Sequence, residues 1–145
     1  MSTSRHRMVA LGNRIGVGLH HVAHGRLDGF GDQTVLMITS PGRRTGRPRS
    51  TMVRYLQHDG GYLVWGTGGG APSDPDWFRN LRHTSRARIE IGRDAQDVDV
   101  EELAGPERDR VWRDVVLAQA PGVARYERKA GRTIPVAVLR PVRPA

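Results

Sequence analysis

The sequence predicts an α+β fold, with about six mostly antiparallel strands and peripheral helices rolled into a small, partly open barrel. Three observations lead there. Apolar and β-branched runs of strand length recur at residues 35–39, 51–56, 62–67, 87–91, 97–103 and 134–139. The first three are joined by turns with no helix between them, which implies antiparallel pairing. Helical spacing is confined to residues 8–22, 76–85 and 105–118, with a short further helix over 126–129. The 145 residues form one domain, 1–145, in which 1–30 supply an N-terminal amphipathic helix and tail.

Each element follows from local chemistry. Met8, Leu11, Ile15, Leu19 and Val22 recur at steps of three and four, on one face of a helix. Gly12, Gly16 and Gly18 each weaken it by roughly 1 kcal/mol, so it needs a surface to lie on. That surface is the domain or a membrane interface. His20 and His24 stand one turn apart there, but no third ligand completes a metal site. The His58-Asp59-Gly60-Gly61 run tolerates positive φ and makes a tight hairpin. Asp74 reads as an N-cap, with Pro75 as first helical residue and Trp77, Phe78 and Leu81 on the buried side. Residues 92–95 make another hairpin turn. Gly105-Pro106-Glu107 opens a helix whose apolar face carries Val111, Trp112, Val115, Val116 and Ala118, and Pro121-Gly122 interrupts it.

The formal charge is +8, and all but one of the 23 basic residues are arginine. Such a balance favours an anionic partner over a neutral or cationic one. The chain has no cysteine, which excludes disulfides, thiolate zinc sites and cysteine nucleophiles. No apolar run approaches a membrane span, and the N-terminus lacks the apolar core of a signal peptide. The expected location is the cytoplasm, peripheral to the inner face of the membrane if the first helix meets lipid.

The charge is concentrated at residues 41–49, Pro-Gly-Arg-Arg-Thr-Gly-Arg-Pro-Arg, between two strands. Arg43, Arg44, Arg47 and Arg49 offer rigid forks of donors that match phosphate or carboxylate two bonds at a time. Gly42 and Gly46 let the backbone turn its amides toward an anion. The loop is not a P-loop, since its spacing is too short and no Lys-Ser/Thr follows. Gly46-Arg47-Pro48 has the centre of a minor-groove hook, but Thr45 precedes the glycine and strands enclose the loop. Residues 66–71, Gly-Thr-Gly-Gly-Gly-Ala, match a dinucleotide fingerprint, yet that fingerprint belongs to a parallel sheet, and Pro72 and Pro75 delay the next helix.

Four stretches together resemble the deazaflavin (F420)-dependent nitroreductase family of split β-barrel oxidoreductases. They are residues 42–49, residues 69–72 with Asp74-Pro75, residues 77–81 (Trp-Phe-Arg-Asn-Leu), and Thr133-Ile134-Pro135-Val136. The resemblance runs over nearly the whole chain after Leu11. It implies an FMN-binding-like split barrel and coenzyme F420, a 5-deazaflavin with a phosphate-linked oligoglutamate tail. It also implies hydride transfer from the reduced cofactor to a quinone, enone or nitro compound. Arg43, Arg44, Arg47 and Arg49 would meet the tail's charges, with the Thr45 hydroxyl and Gly46 amide at the phosphate. The backbone around Met52, Gly66, Thr67, Gly69 and Gly70 would approach the ring, with Trp77 and Asn80 supporting the pocket. Trp77 reads equally as a core anchor, and Asn80 as a hydrogen bond from the helix end to the neighbouring loop. Tyr126 and Thr67 are the catalytic candidates, as proton donor and as partner of the substrate oxygen; Tyr126 also reads as plain packing.

The chain departs from the family at its substrate wall. Met52 stands where a proline is common, Gly68 replaces a polar residue, and Arg54, Ala120 and Val123 replace tyrosines of a nitroimidazole-reducing relative. Nitro reduction is therefore in doubt, whereas F420 binding is not. The expected partner is a small-molecule electron acceptor, not nucleic acid, with weak membrane-surface contact through the first helix. FMN, held by related split barrels, is the competing cofactor. Two other classes share these residues: a non-catalytic F420- or lipid-binding protein of the same fold, and a basic nucleic-acid-binding barrel.

Overall fold

A computed structural model describes residues 34–142. The helix read over residues 8–22, with its membrane contact and its His20/His24 pair, lies outside them. The described chain forms one antiparallel sheet of seven strands in the order β2-β1-β5-β6-β7-β4-β3. These are β1 (Val35–Pro41), β2 (Pro48–Arg54), β3 (Leu56–His58), β4 (Gly61–Trp65), β5 (Arg86–Ile91), β6 (Asp94–Glu102) and β7 (Val136–Pro141). Helix α1 (Asp76–Arg82) follows β4. Between β6 and β7 run α2 (Gly105–Val111), a π turn at Trp112–Val116, a helical turn at Leu117–Gln119 and α3 (Val123–Ala130).

Six strands were expected, and the seventh arises from a corner. Residues 51–56 read as one strand, but β2 ends at Arg54, and the Tyr55 amide donates to Thr34 O at 3.0 Å. Leu56 then leaves β1 and pairs with Leu63 of β4. The corner rolls the sheet: Val53 and Tyr55 share one core with Val64 of β4, and the Arg54 guanidinium lies 5.8 Å from the Trp65 ring. Edge strand β2 is thus brought back over β4, and the sheet curls into a half-barrel.

Strand alternation sorts the apolar residues into two cores. Leu36, Ile38, Val64, Ile89, Val98, Ala137 and Leu139 fill the barrel interior with Phe78 and Leu81 of α1. Leu63, Trp65, Val136 and Val138 face the other way, against Val111, Trp112, Val116, Val123 and Ala130. Buried Arg108 fastens that second layer by donating from Nε (3.1 Å) and Nη2 (2.6 Å) to Ile134 O, with its guanidinium 5.0 Å from the Trp112 ring. In the π turn the Leu117 amide bonds to Trp112 O, five residues back. The extra residue rotates the helix end, so Ala118 is exposed where regular spacing would bury it.

The turns follow their residues. Asp59 (φ 49) and Gly60 (φ 76) link β3 and β4 with both central residues left-handed, as a two-residue hairpin prefers. On the outer face of β5 and β6, Arg86 pairs with Asp99 and Arg88 with Asp97, and Arg140 of β7 pairs with Glu101. These three arginines therefore form a solvated ladder of modest energetic weight.

Two glycines separate constraint from tolerance. A Cβ on Gly61 would sit 2.6 Å from the backbone oxygen of Leu139, whereas one on Gly122, in the right-handed helical region, meets nothing within 4 Å. Gly61→Ala is predicted to cost about 1–3 kcal/mol through overpacking. Gly122→Ala should stabilise by a few tenths up to about 1 kcal/mol. Urea unfolding of both variants measures the contrast.

Candidate active site

Loop 42–47 joins β1 to β2 and is closed by its own backbone. The Gly42 amide donates to Arg47 O (2.7 Å) and the Gly46 amide to Gly42 O (2.8 Å), with Gly46 at φ +75. The Arg47 amide donates to Thr45 Oγ1 at 3.2 Å. Gly46 therefore directs its amide into the loop and not toward a phosphate. Among the described residues the amides of Arg44 and Thr45 have no acceptor, and Thr45 Oγ1 accepts from Arg47 without donating.

The four arginines of this stretch divide into one and three. The Arg43 amide and Nη1 both donate to Asn80 Oδ1, at 3.1 and 2.8 Å, and Nη2 pairs with Asp76 at 3.1 Å. Arg43 thus pins the loop to α1 and is occupied by the protein. Asn80 is buried and acts as the helix-to-loop hydrogen bond that was one of its two readings. Arg44 and Arg47 are exposed and Arg49 is half-buried, and among the described residues none of the three side chains has an acceptor. Arg44 and Arg47 thus lie on the loop that Arg43 fixes, and Arg49 follows two residues after Arg47 in β2.

The second predicted stretch follows β4. Gly68 (φ +56), Gly69 (φ +68) and Gly70 (φ +90) make a single left-handed turn after Thr67. Their lack of side chains has two causes. A Cβ on Gly66 would crowd Pro75 and Phe78 at 3.1–3.3 Å, and one on Gly70 would reach the Lys129 stem at 2.7 Å. Those two glycines serve packing against α1 and α3. Of the three predicted ring-facing glycines only Gly69 has nothing within 4 Å of a Cβ among the described residues.

Trp77 is half-buried and meets Phe78 edge-on, 5.4 Å between ring centroids, at the margin of the barrel core. Met52 is 37% exposed on the face of β2 opposite Val53. Thr67 is half-buried, and its hydroxyl has no partner among the described residues. Tyr126 is half-buried on α3, one turn before Lys129, with the Arg125 guanidinium 5.4 Å from its ring. A belt of contacts therefore joins the predicted residues: arginine loop to α1 through Arg43, α1 to Gly66 through Phe78, and Gly70 to α3 through Lys129.

The sequence reading missed Arg132. Its Nη2 donates to Gly66 O and Thr67 O (both 3.1 Å), its Nε to Ala71 O (3.0 Å), and its Nη1 to Asp74 (2.6 Å). Asp74 is consequently no N-cap; α1 starts at Asp76 with Pro75 before it. Asp74 instead accepts from both Arg132 and Arg82, and Arg82 also binds Glu102 through Nε (2.7 Å) and Nη2 (2.9 Å). The Glu102 hydrogen bond holds the Arg82 guanidinium above its ordinary pKa range, against the opposing pull of burial.

A family model for F420H(2)-dependent quinone reductases matches residues 19–141. The chain belongs to that family. An F420H(2)-dependent quinone reductase of Mycobacterium tuberculosis (strain ATCC 25618 / H37Rv) is 29% identical over 106 residues, 72% of this chain and 71% of the relative. A solved structure described as an F420-H2 dependent reductase (FDR-A) superposes with a TM-score of 0.64 at 26% identity, over 74% of this chain and 94% of the other. Another, described as a domain-swapped dimer, has a TM-score of 0.65 at 25% identity, over 97% and 100%. The half-barrel is accordingly the split-barrel fold of F420-dependent reductases. This family member is an F420H2-dependent oxidoreductase, and its cofactor is coenzyme F420. Neither the nucleic-acid nor the non-catalytic reading gains support from these relatives.

The residues present fit that cofactor. A phosphodiester and several carboxylates call for guanidinium donors without protein acceptors, and Arg44, Arg47 and Arg49, close in sequence, have none among the described residues. A planar ring calls for a stretch of backbone without side chains, and Gly69 offers one. Asn80→Ala would leave two donors of Arg43 without an acceptor. It is predicted to destabilise by about 1–3 kcal/mol in urea unfolding and to weaken F420 binding in parallel.

Proposed function

We propose that this chain reduces a quinone, holding the F420 tail on Arg44, Arg47 and Arg49 and the ring beside the 66–70 turn. The observation that carries this reading is the division among these arginines, in which Arg43 is engaged by Asn80 and Asp76 while Arg44, Arg47 and Arg49 have no acceptor among the described residues. A loop anchored in this way presents its guanidinium groups at little further entropic cost on binding. The amides of Arg44 and Thr45 and the Thr45 hydroxyl add donors at the loop tip. The relatives named as quinone reductases support the acceptor class.

When bound, reduced F420 supplies the hydride. The protein's part is to orient, to exclude water and to manage one proton. Phe78 and Pro75 pack under Gly66 and fix where β4 ends. The Lys129 stem closes the far side of Gly70. Tyr126 lies one turn from that contact, and its hydroxyl is the group we assign to deliver a proton to the reduced quinone oxygen. The Thr67 hydroxyl, which has no partner among the described residues, would donate to the second oxygen.

Two substitutions test these roles separately. Arg44→Ala should weaken F420 affinity by ~1.5–3 kcal/mol in a cofactor titration, the range for charged hydrogen bonds. Unchanged affinity removes Arg44 from the site. Tyr126→Phe should slow quinone reduction by roughly 10²-fold at saturating cofactor, with F420 affinity retained. Equal turnover would strip the hydroxyl of its role.

A further inference from the structure

We infer that Arg132 is the positioning residue of the ring site, a single guanidinium that sets the shape of the 66–71 turn and ties it to the helix bearing Tyr126. The inference rests on the reading that this turn faces the F420 ring. Three consecutive glycines in the left-handed region have a wide choice of conformations, and the turn's own restraints are slight. They amount to Gly70 N–H to Thr67 O (2.9 Å) and Ala71 N–H to Gly68 O (3.2 Å). The remaining order comes from outside. Arg132 gathers the carbonyls of Gly66, Thr67 and Ala71 onto one planar fork and anchors that fork on Asp74.

Geometry makes this role specific to arginine at this position. Gly131 ends α3 at φ +65, and the next residue passes beneath the turn. The Arg132 side chain is only 15% exposed, so its donors face the protein. With three carbonyls drawn to one guanidinium, Gly69 is the turn residue that Arg132 does not bond and whose Cβ position has nothing within 4 Å among the described residues, which leaves room there for a ligand. A lysine ammonium is a compact point charge and cannot span Gly66, Ala71 and Asp74 together. Asp74 in turn is held by Arg82, itself fixed on Glu102 of β6, so the fork is braced from the barrel wall. Arg132 touches neither cofactor nor acceptor on this account. It acts through the turn.

The test compares Arg132→Lys and Arg132→Ala with the wild type, using F420 fluorescence titration of the unloaded protein and steady-state reduction of a water-soluble naphthoquinone. Arg132→Lys keeps charge and stem and guards against loss of fold, which thermal unfolding monitors. Both variants should bind F420 about tenfold or more weakly. Millimolar guanidinium should restore much of the affinity of Arg132→Ala without raising its melting temperature, a rescue that a purely structural role would not give. Wild-type affinity in folded variants, or lost affinity that tracks melting temperature and ignores guanidinium, overturns the inference alone. A wild type that fails to bind F420 overturns the underlying reading with it.

Discussion

Asn80 Oδ1 accepts two hydrogen bonds from Arg43, and that buried contact decides what the rest of the arginine loop can do. An arginine-rich loop on a six-residue connection would ordinarily sample many shapes, each costing entropy when a ligand selects one. Here one of the loop's three guanidinium groups is committed to α1, a fourth arginine, Arg49, follows in β2, and the hairpin below is paired in register from Val35↔Arg54 to Pro41↔Pro48. The remaining three share a fixed origin. A residue that looks like a ligand contact is thus the one that makes its neighbours effective ligands.

The same division of labour recurs at the glycine turn. Gly66 and Gly70 are small because α1 and α3 need the space, and Gly69 is small with nothing opposite it. Arg132 supplies from outside the rigidity that glycine forgoes. Two arginines, one at each end of the proposed site, face inward so that the groups around them can face a ligand. The chain's other ion pairs on β5, β6 and β7 lie on an exposed ladder and have no such consequence.

What could be read from the sequence was what local chemistry decides. The hairpin turns at Asp59-Gly60 and Gly92, the antiparallel pairing and the clustering of charge at residues 43–49 are all short-range features, and the structure has them. Decisions made across long separations were hidden. The corner at Tyr55 depends on where β4 lies. Asp74 has the right chemistry to cap α1, but Arg132, 58 residues later, wins its carboxylate with a 2.6 Å ion pair. Arg132 itself carried no signal beyond a Gly-Arg pair after a helix, because its partners lie some sixty residues upstream. Gly66 and Gly70 read in the sequence as bare backbone beside a ring, and the structure adds a packing constraint from Pro75, Phe78 and Lys129 that no local pattern carries. The phase of the helix after Gly105 was misjudged for one residue, Ala118, because a π turn leaves no trace in the apolar pattern.

The claim on which this account stands is that the free guanidinium groups of the loop capture the charged tail of the cofactor. The most direct measurement compares F420 with the same deazaflavin lacking phosphate and glutamates, titrated against the wild-type protein at low and high salt. The account predicts that intact F420 binds tighter by about a hundredfold or more at low ionic strength, and that the gap narrows as salt screens the loop. Equal affinity for the two compounds, indifferent to salt, would contradict it.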